Sequence, residues 1–167
     1  MTNSLINVHE LFRNISNPEY IIVDCRFDLA DENWGYSDYL NSHIPGAQYA
    51  DLNKNLSGPI TSITGRHPLP SSEKFIGFLS EIGIDKNKTV VLYDVSFGSY
   101  ATRLWWLLRA YGHSSIFLLN GGFQAWIAAG FSIESGITPK KSSKFEGDFS
   151  DKYMINQENV EKIINDE

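Results

Sequence analysis

The chain has almost no sulfur chemistry of its own. One of its 167 residues is cysteine, Cys25, which excludes an internal disulfide and any zinc site built on several thiolates, and suits a reducing compartment. The four histidines are scattered, so no metal site, and no cofactor, is expected. Positive charge is also short. Fourteen Lys and Arg against twenty Asp and Glu leave a net charge of −6, which speaks against a phosphate-tracking surface and a nucleic-acid partner. No apolar run approaches the roughly 20 residues of a membrane span, and the opening Met-Thr-Asn-Ser-Leu-Ile-Asn lacks a basic stretch followed by an apolar one. No membrane partner and a cytoplasmic location are therefore expected. No internal repeat of short period is visible. What is present, 42% hydrophobic and 13% aromatic residues, suffices for one sizeable core in a single domain.

A more local absence says most about function. The apolar run Thr89-Val90-Val91-Leu92-Tyr93 reads as a buried strand, residues 94–99 as a turn, and Ala101 onward as a helix. Free N–H groups and the positive end of the dipole at such a helix start favour a thiolate or a bound anion. This loop begins with Asp94, which has no sulfur to attack with. Its carboxylate is expected to cap the helix and fix the loop rather than act as a general base.

Other elements follow from periodicity. Behind Ser4 as N-cap, Leu5, Val8, Leu11, Phe12 and Ile15 recur at helical spacing, and Pro18 ends the pattern. Residues 20–23 read as a strand, 36–42 as a short helix and 47–50 as a second strand. Ser71 starts an amphipathic helix with Phe75, Phe78, Leu79 and Ile82 that stops at Gly83. Leu104, Trp105, Leu107 and Leu108 form the apolar side of the helix that ends at Gly112. Residues 116–119 give a strand, and Gly121-Gly122 opens a last helix closed by Gly130. At least two of Trp105, Trp106 and Trp126 are expected in the core. Strands alternating with helices predict an α/β fold with a mainly parallel sheet wrapped on both faces. After Ile133 the composition shifts to Ser, Lys, Thr, Pro and Gly through Asp148, which reads as a linker. Ile155, Val160, Ile163 and Ile164 then fall near one face of a further helix.

Candidate site residues sit mostly in loops. The stretch 51–70, with Gly58-Pro59, Gly65 and Pro68, is long and aperiodic, and such loops are more often functional than idle. Its Arg66-His67 pair suits proton relay or anion contact, or merely faces solvent. Arg103 suits an anion at the 94–99 loop or a structural clamp onto Asp94 or Asp24. Cys25 follows a buried strand and precedes a loop, so nothing stabilises its thiolate, and it reads as inert. His43 reads as bracing a turn. Asp94-Val95-Ser96-Phe97-Gly98 also looks like a degraded nucleophile elbow, with Ser96 attacking and His113 or His67 as base. Asp94 stands where that turn wants glycine, which counts against it.

Six segments in order carry a family pattern: Val23-Asp24-Cys25-Arg26, His43-Ile44-Pro45-Gly46-Ala47, Gly65-Arg66-His67-Pro68-Leu69-Pro70, Val91-Leu92-Tyr93-Asp94, Arg103-Leu104-Trp105-Trp106, and Asn120-Gly121-Gly122-Phe123-Gln124-Ala125-Trp126. From about residue 5 to 130 the chain resembles the N-terminal domain of tandem rhodaneses, the thiosulfate and 3-mercaptopyruvate sulfurtransferases. The resemblance implies a rhodanese-like α/β domain over residues 1–133, of the catalytically silent type. Residues 134–167 then form a linker and the first helix of a second, C-terminal rhodanese domain. That partner would bring the sulfur-accepting cysteine, so no catalytic residue is expected here. Asp94, Ser96, Gly98 and Ser99 hold the positions of a degenerate active loop. His67 matches a motif histidine that, in mercaptopyruvate enzymes, reaches the substrate cleft in a serine-histidine-aspartate relay. Near the relay's aspartate stand Asp51 and Asn53, and Asn53 replaces the carboxylate. Arg66, His67, Asp51, Asn53 and Arg103 are thus candidates for the cleft or the interface, with a small sulfur-containing anion as ligand. The alternative is a stand-alone, non-catalytic rhodanese module that binds a protein or a small anion.

Overall fold

The computed structural model describes residues 4–165. In chain order its elements are β1 (Leu5–Ile6), α1 (Val8–Arg13), β2 (Tyr20–Asp24), α2 (Trp34–Asn41), β3 (Gln48–Tyr49), α3 (Ser72–Glu81), β4 (Thr89–Tyr93), α4 (Ala101–Ala110), β5 (Ile116–Leu119), α5 (Gly122–Ala128) and α6 (Gln157–Asn165). The strands form one sheet in the order β1-β5-β4-β2-β3, and every pairing is parallel. Side chains alternate across it. Val23, Val90 and Leu92 point to one face, where Phe75 and Leu79 of α3 and Leu104 and Leu108 of α4 cover them. Ile22, Val91 and Tyr93 point to the other, under Leu11 of α1 and Phe123 and Trp126 of α5. Both faces of a parallel sheet are thereby buried, as the alternating pattern requires. Because all strands run the same way, the loops after β2, β3, β4 and β5 emerge at one edge of the sheet, where α/β folds place their sites.

The first helix departs from expectation. Leu5 and Ile6 pair with Leu118 and Leu119 of β5, and the ladder is completed by Leu118 N–H donating to Ser4 O and Asn120 N–H to Ile6 O. The helix starts only behind Asn7, whose side chain accepts from Glu10 N–H at 2.9 Å. An open strand edge with unpaired backbone groups outweighs a helical spacing that happens to include Leu5. Ser71, by contrast, caps α3 as expected, accepting from Lys74 N–H. At least two of Trp105, Trp106 and Trp126 are expected in the core, but of the three Trp126 alone is fully buried, whereas Trp105 and Trp106 pack half-buried along the flank of α4.

The stretch with linker composition is tied to the domain as a strap. Glu134 and His43 exchange backbone hydrogen bonds at 2.9 Å, Ser143 N–H donates to Ser80 O at 2.8 Å, and Ser150 N–H donates to Ala110 O at 2.8 Å. Phe145 is driven into the core beside α3 and α4, 3% exposed. The strap crosses Gly83 so closely that a Cβ there would lie 2.4 Å from Lys141 O. His43 braces this region: its Nδ1 bonds Tyr39 O at 2.8 Å and its Nε2 bonds Thr138 Oγ1 at 3.1 Å. Beyond the strap come a single 3₁₀ turn (Asp151–Tyr153) and α6, whose Val160, Ile163 and Ile164 are exposed. Asp166 and Glu167, where the expected tail ends, and Met1, Thr2 and Asn3 of the opening stretch lie outside the described residues. Among the described residues no helix is long and apolar enough to cross a membrane.

The strap also covers His113, which is 2% exposed and has its ring 6.3 Å from that of Phe145. Burial pushes its pKa down and outweighs the opposing pull of the Lys88 and Ser115 backbone, with Lys86 lowering it and Asp85 raising it by smaller amounts. The folded chain therefore holds fewer protons than the unfolded one just below the ordinary histidine value of about 6.5, and stability is lost as pH falls through that range. The urea midpoint is expected to drop between about pH 7.5 and pH 5.5, and His113→Leu to make the drop smaller.

Candidate functional site

The loop after β4 is closed around a carboxylate. Asp94 is 2% exposed. Its Oδ1 accepts from the N–H groups of Ser96 at 2.8 Å and Gly98 at 2.9 Å, and its Oδ2 from those of Tyr100 and Ala101, both at 2.9 Å. Four backbone donors, including the first of α4, thus converge on one side chain, which caps the helix and fixes the loop. Ser99 tightens the turn by donating its hydroxyl to Ser96 O at 2.6 Å. Gly98 supplies a positive φ of 89°, and Phe97 takes the left-handed conformation too, at φ 57°, with its ring wholly in solvent. The outer side of the loop is fixed by Gly122, where a Cβ would lie 2.3 Å from Asp94 O. That absence lets Phe123 N–H donate to the same oxygen at 3.1 Å. The elbow alternative fails on this geometry: the Asp94 carboxylate occupies the amide cradle, and neither His113 nor His67 contacts Ser96 among the described residues.

The one thiol, Cys25, lies enclosed in the core. It is 1% exposed, and burial, followed by the charges of Asp24 and Asp94, pushes its thiol well above the ordinary range. A thiol that stays protonated is a poor nucleophile. Beside it Arg26, a residue the sequence singled out only as part of a motif, is completely buried. Its Nε bonds both oxygens of Asp24, its Nη2 lies 2.6 Å from Asp24 Oδ2 and 2.5 Å from Ser42 O, and its Nη1 pairs with Asp38. Tyr93 donates its hydroxyl to Asp24 Oδ2 at 2.8 Å. Burial works against the Arg26 charge, but the bonds and charge of Asp24 outweigh it, so its pKa lies above the ordinary value. The network fixes the backbone just where Phe27 turns into the cleft.

That cleft, about 270 Å³, opens between the loop after β2 and the 51–70 stretch. Phe27 and Ser57 lie within it, Asn53, Arg66 and His67 stand around it, and Leu29 and Ile60 form an apolar rim. His67 is half-buried with its ring edge-on to Phe27 at 6.5 Å. Burial first, then the charges of Arg103 and Arg66, lowers its pKa, against an opposing pull from Glu32. The imidazole is therefore neutral at physiological pH and able to accept a proton. Three of the five sequence candidates, Asn53, Arg66 and His67, are brought together here.

The other two do different work. Arg103 makes no contact with Asp94 or Asp24; its guanidinium donates to the carbonyls of Leu56, His67 and Pro68 at 3.1–3.3 Å. It is a clamp as one alternative held, but onto backbone, and it holds the loop that carries His67. Asp51 is 4% exposed and turns back on its own loop, accepting from Asn53 N–H and Lys54 N–H at 2.9 Å. It orients Asn53 from behind and lines a separate pocket with Tyr36 and Tyr49. Ser57, Phe27 and Glu32 were missed by the sequence reading. The only trace of Ser57 was its place before Gly58-Pro59 in the long loop.

Comparisons with known proteins bear on the whole arrangement. A family model described as a rhodanese-like domain matches residues 7–129. A probable 3-mercaptopyruvate sulfurtransferase from Pseudomonas aeruginosa is 39% identical over 145 residues, which cover 86% of this chain and 51% of that protein. Thiosulfate/3-mercaptopyruvate sulfurtransferase 2 from Arabidopsis thaliana is 34% identical over 135 residues, 80% of this chain and 39% of that one. The crystal structure of the 3-mercaptopyruvate sulfotransferase from Escherichia coli superposes with a TM-score of 0.87 at 28% identity, covering 98% of this chain and 62% of that one. The chain thus spans about half the length of the first of these relatives. The match is to the N-terminal domain of tandem rhodanese proteins. With the parallel sheet, the loop after β4 and the ordered motifs all agreeing with a family model over most of its length, this chain belongs to the rhodanese-like domain family.

Proposed function

We propose that this chain is the non-catalytic N-terminal half of a two-domain sulfurtransferase acting on thiosulfate or 3-mercaptopyruvate, and that it forms one wall of the substrate cleft. The observation that carries this is the occupied cradle: the four amides that would stabilise a thiolate are saturated by the Asp94 carboxylate, and the lone thiol is buried elsewhere. The partner domain would supply the cysteine. Its thiolate attacks the outer sulfur of thiosulfate or the single sulfur of 3-mercaptopyruvate, and a persulfide S–S bond forms; the electron pair of the broken bond leaves with sulfite, or with the enolate of pyruvate, which takes up at carbon the proton lost from the donor thiol. Arg66 and neutral His67 would then face the anionic donor across the cleft, Arg66 as counter-charge and His67 as proton acceptor.

Alone, the chain is expected to gain no sulfur on Cys25 after exposure to either donor, as read by intact mass, and to show negligible turnover to a thiophilic acceptor. Added to a separately produced C-terminal rhodanese domain with a cysteine in its active loop, it should raise that domain's activity, and His67→Ala should remove most of the gain. A persulfide on Cys25 with matching turnover would refute the silent role. Unchanged activity of the partner domain would refute the cleft-forming one.

A further inference from the structure

Arg103 is half-buried on the first turn of α4, and it forms no ion pair with a carboxylate among the described residues. Burial lowers its pKa, and a cation taken partly out of water without a counter-ion is costly. Three carbonyl oxygens hold it instead. Leu56 O comes from one piece of chain and His67 O and Pro68 O from another, all at 3.1–3.3 Å. A planar fork of donors can span two such pieces, where the single nitrogen of a lysine would not.

The two pieces are the limbs of one loop. Gly58 N–H donates across them to Pro68 O at 3.0 Å, and a Cβ at Gly58 would lie 2.5 Å from Leu69 O. Beyond this neck residues 59–66 are exposed, and their hydrogen bonds among the described residues run only between Thr61, Ile63 and Thr64. No hydrogen bond ties the tip to the rest of the domain. Arg66 closes the tip and His67 opens the return limb, so the neck decides where both stand. The ring side has a matching support. Phe27 is edge-on to His67 at 6.5 Å and to Tyr100 at 5.6 Å. Tyr100 and Arg103 thus reach the His67 segment from the same end of α4, and Asp94 fixes that end through the N–H groups of Tyr100 and Ala101.

We propose that Arg103 is the positioning residue of the cleft: it binds the two limbs of this loop together and so sets where Arg66 and His67 stand. It acts through the backbone and not on the donor. Its weight in turnover rests on the sulfurtransferase reading above, whereas the positioning does not.

The test compares Arg103→Lys, which keeps the charge, with Arg103→Met, which removes it, by NMR of the full chain. In both, the Gly58 amide is expected to exchange about tenfold faster relative to the Ala50 amide, as loss of the bonds at the neck implies. Ala50 N–H donates to Asp24 O at 2.9 Å, beside β3, and reports on the fold as a whole. The His67 C2 proton should titrate nearer the ordinary histidine value of about 6.5 in both variants, since a loosened segment gives its ring more water. If Arg103→Met fails to fold, Arg103→Lys decides. A native Gly58 exchange rate or a native His67 titration in Arg103→Lys would overturn the proposal, because charge alone would then suffice. Added to the separate C-terminal domain, the lysine variant should raise KM for the donor more than it lowers kcat. If the neck and the titration change but that domain works equally well with variant and native chain, the positioning stands and the sulfurtransferase reading falls.

Discussion

Asp94→Cys is expected to give the chain a thiol that ionises readily and alkylates at neutral pH, where the native protein scarcely reacts. The loop already aims four N–H groups at this side chain, and a sulfur in the same place would take a subset of them. Donors held by the fold and the start of α4 favour a thiolate over a thiol. The introduced group should therefore titrate below the ordinary thiol value of about 8.5, and react with iodoacetamide roughly 100-fold faster at pH 7 than Cys25 does. Cys25 is the internal control, since it is buried and its thiol is pushed up. Losing the carboxylate has its own effect, a destabilisation of about 1–3 kcal/mol from amides left short of acceptors. The measurement is the alkylation rate as a function of pH, with the site located by peptide mass. A thiol titrating at or above the ordinary value would show that the loop's amides select a carboxylate by shape and do not lower a thiol's pKa.

Arg26→Met is expected to be the most damaging single change to stability, about 3–5 kcal/mol, because it strands the Asp24 carboxylate in the interior. Asp24 and Arg26 are both fully buried, and the guanidinium also lies 4.4 Å over the Phe123 ring. The loss has to be apportioned with a cycle. Asp24→Leu combined with Arg26→Met should recover much of the stability that Arg26→Met alone removes, since an apolar pair leaves no unpaired charge. If the double variant is as unstable as the sum of the singles, the network acts through packing and not through charge. The functional readout is the cleft: Arg26 O accepts from the Tyr49 hydroxyl at 3.0 Å, and Phe27 follows directly.

The parts legible in the sequence were those fixed by local patterns. The run Thr89 to Tyr93, Asp94 and the apolar side of α4 each carry a short-range signal, and together they located the loop that closes around Asp94. Leu5 and Ile6 were misplaced because their strand exists only where β5 offers an edge, more than 100 residues later in the chain. Arg26 stood in the sequence only as one residue of a motif; its burial depends on Asp38 and Ser42 returning to it through α2. Arg103 named two carboxylates as partners and found carbonyls instead, since backbone acceptors from a loop 35–47 residues away leave no mark in composition. The strap read as a linker for a similar reason. It is held by main-chain bonds and by one phenylalanine.

That last arrangement decides where the folding unit stops. A fragment trimmed after residue 133 would strip Phe145 from its seat and uncover Tyr111 and His113, whose rings meet Phe149 and Phe145 respectively. The smallest piece that keeps its own interior dry therefore runs to about Phe149, and protease nicking should begin beyond it, in the turn that leads to α6.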